Sequence, residues 1–89
     1  MIYKSKEGDI DLNKLTRLYP AVVVDMQGER AEMSLEWMDL YAQKVKLVHY
    51  VLVFDATPPG ENSKIRTVLT FESKEALLQE MAEVAKYFD

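Results

Sequence analysis

Lys46-Leu-Val-His-Tyr-Val-Leu-Val-Phe-Asp-Ala56 is the longest apolar run in the chain, and its β-branched and aromatic side chains predict a strand. Alternation places Leu47, His49, Val51, Val53 and Asp55 on one face and Val48, Tyr50, Leu52, Phe54 and Ala56 on the other. Neither face suits bulk water, so this strand belongs in the middle of a covered sheet. The rest of the chain must then supply its neighbours and its lids.

Downstream, Thr57-Pro58-Pro59-Gly60-Glu61-Asn62-Ser63 cannot continue a ladder and reads as a loop. Lys64 to Glu72 is the returning strand of a hairpin, with Ile65, Thr67, Leu69 and Phe71 toward the core and Arg66, Val68, Thr70 and Glu72 outward. Ser73 is a candidate N-cap for a final helix, with Glu75 well placed against the helix dipole. Leu77, Leu78, Met81, Val84, Ala85 and Phe88 fall on one arc of that helix.

Upstream, a hairpin is predicted from register. With Gln27-Gly28 at the tip, Met26 pairs with Glu29, Asp25 with Arg30, Val24 with Ala31, Val23 with Glu32 and Val22 with Met33. Val22, Val24, Ala31 and Met33 then share a side, which Leu35 and Trp37 continue, so strand is expected as far as Trp37. A helical turn over Met38 to Lys44 then returns the chain to the central strand. The competing pattern starts a helix at Ser34, because Met33, Trp37, Leu40, Tyr41 and Val45 also recur at helical spacing. Met1 to Ser5 is expected to be a short edge strand, with Glu7-Gly8-Asp9 as a turn. Asp11 is expected to cap two helical turns over Leu12 to Leu18, which Pro20 ends. An irregular strand running on into the hairpin is the alternative.

The elements sum to an α+β domain spanning 1–89: an antiparallel sheet of four to five strands, made of two hairpins and a short N-terminal strand, with a C-terminal amphipathic helix on one face. The chain has 89 residues, 48% hydrophobic and 29% charged, an ordinary globular composition. No window approaches the roughly 18 apolar residues of a membrane span, and the start lacks the apolar region of a secretory signal, so a cytoplasmic protein is expected. A net charge of −4 is the wrong sign for reading nucleic-acid phosphates. With no cysteine, thiolate zinc sites and thiol nucleophiles are excluded.

His49 is the single histidine and the one candidate functional residue, since its ordinary pKa lies near neutrality. It sits in mid-strand, and Asp55 on the same face is six residues on, about 20 Å away along the strand. A half-buried histidine holding a hydrogen bond is the expected role. Asp9 and Asp11 have the i,i+2 spacing of an oxygen-ligand site but lack the rest of a calcium loop, so no metal or cofactor is expected. Gly8, Gly28 and Gly60 stand alone, and no serine sits in a nucleophile elbow.

With no catalytic constellation, the expected function is a non-enzymatic protein–protein interaction module that self-associates. One long helix covers one face of a strand that is apolar on both, and a homodimer would cover the other face or extend the sheet through an edge strand such as Lys64 to Glu72. Two alternatives belong to other classes: a small-ligand or lipid-headgroup binding domain of pleckstrin-homology-like architecture, and a small enzyme or enzyme subunit using His49.

Overall fold

The computed structural model describes residues 1–88. The predicted central strand is β5 (Lys46–Asp55), and it is paired on both sides. Its neighbours are β3 (Arg17–Met26) and β6 (Arg66–Phe71), and β4 (Glu29–Met33) pairs the outer side of β3. The antiparallel order is therefore β4-β3-β5-β6. Two more strands, β1 (Ile2–Ser5) and β2 (Gly8–Asp11), make a separate hairpin, and the helices are α1 (Leu35–Tyr41) and α2 (Lys74–Ala85). A bulge between Val23 and Val24 sets Leu47, rather than Val48, opposite Val24.

The β3–β4 register is the expected one at all five pairs, from Val22 with Met33 to Met26 with Glu29. Gln27 and Gly28 both take left-handed φ, 55° and 89°, as a two-residue turn between right-twisted strands requires. Ser34 decides where β4 stops. Its hydroxyl accepts the Trp37 N–H at 3.0 Å, capping α1, so strand ends at Met33 and the expected extension to Trp37 gives way to helix. At the N-terminus, Asp11 does cap, accepting the Asn13 N–H at 3.0 Å, but the turn lasts only from Leu12 to Lys14. The Thr16 N–H donates to the Asp55 carbonyl at 2.8 Å, which draws the chain into the sheet and makes Arg17 to Pro20 part of β3 instead of a helix and its terminator. Gly8, expected in a turn, opens β2 opposite Ser5, so Met1 to Ser5 is half of a hairpin.

Both helices and the β1–β2 hairpin pack on one face. Leu77 and Val84 of α2 join Leu52, Phe54, Leu69 and Phe71 in the main core, which Tyr3, Ile10 and Leu12 complete. Leu35 of α1 packs against this core, and Asp39 reaches Lys74 at 3.9 Å, which ties α1 to the start of α2. Ser73 caps α2 as expected, accepting the Ala76 N–H at 3.1 Å. Leu78, Ala85 and Phe88, assigned to the apolar arc, are exposed.

The other face carries Tyr19, Ala21, Val23, Val51 and Val53, and three of its apolar side chains, Ala21, Val51 and Val53, are buried without any helix above them. Curvature accounts for this. Glu32 lies level with Val23 and Arg66 level with Arg17, so in a flat sheet these corners would be about 20 Å apart along the strands and about 14 Å across them. Two side chains cannot bridge that distance, yet the Arg66 guanidinium meets the Glu32 carboxylate at 3.1 Å. Twist has curled the sheet until its opposite corners meet over the valines.

Candidate functional site

His49 stands in mid-strand on β5, opposite Val23 on the concave face, and is half-buried. None of the side-chain hydrogen bonds among the described residues involves it, so the expected partner is missing. Asp55, its strand-mate, is buried and already engaged, because its carboxylate accepts the Thr57 N–H at 2.9 Å at the start of the Pro-Pro-Gly loop. Those hydrogen bonds from Thr57 hold the Asp55 carboxyl below the usual carboxylate range. The structure thus does not bring His49 and a free acid together.

Asp9 pairs with Lys4 at 3.2 Å, while Asp11 caps the turn that follows, so this spacing serves the hairpin and the cap. Among the described residues, no three of the histidine and carboxylate side chains converge as a metal site would require.

A polar cluster that spans strands forms a clasp over the concave face. The Tyr19 hydroxyl donates to Glu32 at 3.1 Å and receives a hydrogen bond from Arg66 at 3.0 Å, and the Arg17 guanidinium lies 4.5 Å above the Tyr19 ring. Burial and then the Glu32 carboxylate raise the Tyr19 pKa above its ordinary value. Every member is engaged with another. The clasp closes a core.

Chemistry of a different kind is available at the sheet edges. β6 is the edge strand, and among the described residues no strand pairs its outer side along Arg66–Phe71. Lys6 from the β1–β2 turn hydrogen-bonds the Thr70 carbonyl and lies over the Phe71 ring at 4.1 Å, blunting one end of this edge. At the other side of the sheet, β4 pairs β3 only from Val22 onward, so the outer side of Arg17 to Ala21 has no strand beside it among the described residues.

That second edge opens beside an apolar groove between β3 and α2. Leu18, Pro20 and Leu52 line one wall and floor, Met81, Ala85 and Phe88 the other, and the volume is about 210 Å³. Leu18 and Phe88 remain 37% and 54% exposed. Assigning Leu12 to Leu18 to a helix hid this edge; the readable signal was Pro20, because a proline in a strand belongs at an edge with its nitrogen outward. Comparison with family models, with curated proteins and with solved structures gives no match.

Proposed function

We propose that this chain is a non-enzymatic protein-interaction module that self-associates, two copies joining through the outer edges of their β6 strands. The observation that carries the reading is that β6 ends the sheet with its inner side paired from Arg66 to Phe71 and, among the described residues, no strand on its outer side, where Lys6 covers only the Thr70–Phe71 end. An antiparallel β6–β6 pair about a two-fold axis would join two four-stranded sheets into one of eight strands, and no strand among the described residues lies beyond β6 to obstruct it. Val68, 37% exposed at the middle of this edge strand, would face its own copy across the pair. Asp9, Asp11 and Asp55 are each engaged in a turn, a cap or a loop rather than gathered beside His49, which supports binding over catalysis.

Light scattering across micromolar to millimolar concentration tests the proposal. A mass rising to two chains, and falling back when Val68→Lys sets like charges opposite each other, is the expected result. The mass of one chain throughout would remove self-association.

A further inference from the structure

We infer that the bare half of β3, together with the groove beside it, is a docking slot for an extended segment of another protein, which adds a strand in line with β4. The site is independent of self-association, since β3 and β6 bound opposite sides of the sheet.

The backbone sets the first requirement. Pro20 pairs with Leu52 but has no N–H, so its position must be a non-hydrogen-bonded one toward β5, with its carbonyl directed outward. Two-residue alternation gives Leu18 and Val22 the same outward orientation. Val22 is satisfied by Met33, the last residue of β4. The N–H and carbonyl of Leu18 and the carbonyl of Pro20 are left for a strand that continues where β4 stops. A segment of about five residues, roughly 17 Å, spans this stretch. Running antiparallel to β3, its residue opposite Leu18 exchanges two hydrogen bonds, and its residue opposite Pro20 donates a third.

Side chains set the second requirement. The residues opposite Leu18 and Pro20 project to the helix face, over the groove formed with Met81, Ala85 and Phe88. Those two positions call for large apolar side chains, with polar residues between them. At about 210 Å³ the groove is below the roughly 300–1,000 Å³ usual for small-molecule sites, and is suited to anchor side chains carried on a backbone. A second copy's own β3 does not suit the slot. In that copy β4 is bonded along the same outer edge from Val22 onward, and an antiparallel β3–β3 pair that fills the slot by setting Leu18 opposite Pro20 would drive it into Thr16. The occupant is therefore a free extended segment of apolar-polar-apolar pattern.

The probe is an end-capped, fluorescein-labelled heptapeptide alternating threonine with leucine, titrated with the full chain by fluorescence polarisation. Saturable binding is expected, together with a shift of the Leu18 amide resonance. Ala85→Arg and Phe88→Ala, both at exposed positions, should each weaken binding by about tenfold or more with unfolding temperature unchanged. N-methylation of the middle leucine should weaken it comparably by removing the backbone donor. No binding up to about 1 mM would overturn the inference. So would equal affinity for the Ala85→Arg chain, or for the N-methylated peptide.

Discussion

The two faces of the sheet bury similar side chains by different means. On one, Leu52, Phe54 and Leu69 lie under α2 and the β1–β2 hairpin; on the other, Val51 and Val53 lie under nothing but their neighbours, because the sheet curls and Glu32 meets Arg66 above them. A lid can be deleted whole, whereas curvature is distributed along four strands. The helix face should therefore fail abruptly and the concave face by degrees.

Removing the lid gives the largest effect. A 1–73 fragment loses Leu77, Met81 and Val84 and uncovers the main core, so it should lose cooperative thermal unfolding and bind a hydrophobic dye. Single substitutions compare the faces more finely. Leu77→Ala, at a fully buried position, should cost about 2–5 kcal/mol in denaturant titration. Met81→Ala, half-buried, should cost less than that. Val53→Ala on the concave face should cost about 2 kcal/mol, because its burial is equally complete but the side chain is smaller. A Val53→Ala cost matching that of Leu77→Ala would erase the distinction.

The clasp itself should contribute little energy. The Glu32 and Arg66 side chains are 34% and 30% exposed, so solvent screens the pair and Glu32→Gln should cost about 0.5–1 kcal/mol. Its clearer signature is Tyr19. A phenol whose pKa is raised by folding adds stability below its ordinary pKa, near 10, and that stability is lost as pH rises through the folded value. Ultraviolet difference titration should show Glu32→Gln bringing the Tyr19 transition down toward the ordinary range.

Asp55 gives the smallest effect, with the opposite sign. Its lowered carboxyl adds stability above the unfolded value, about 3.9, that is lost as pH falls through the folded one. Asp55→Asn should flatten acid unfolding below about pH 4.

What was legible from the sequence was local or strictly periodic. The β3–β4 register followed from placing Gln27-Gly28 at the tip, because a shift of one residue would put the valines in water. Ser73 and the leucines after it announced α2. Leu12, Leu15 and Leu18 misled, since three apolar positions at helical spacing satisfy a helix and a turn-then-strand equally well until Thr16 finds Asp55, 39 residues away. Ser34 was ambiguous between two patterns that both place Trp37 inward. The Glu32–Arg66 contact had no sequence signal, because it depends on the accumulated twist of four strands. The place of His49 in mid-strand was legible but its lack of a hydrogen-bond partner among the described residues was not, whereas the groove required knowing that β3 begins five residues before its partner β4 reaches it.

Tyr3 carries a further consequence, one of folding order. Its ring packs against Phe54 and Tyr87, and its hydroxyl donates to Glu80, so a residue of the first strand completes a core whose other half is the last helix. The hairpin that carries Tyr3 has no finished surface to dock on until β5, β6 and α2 have assembled. It should be the last part to settle and the first to open, with amide exchange in β1 and β2 faster than in β5.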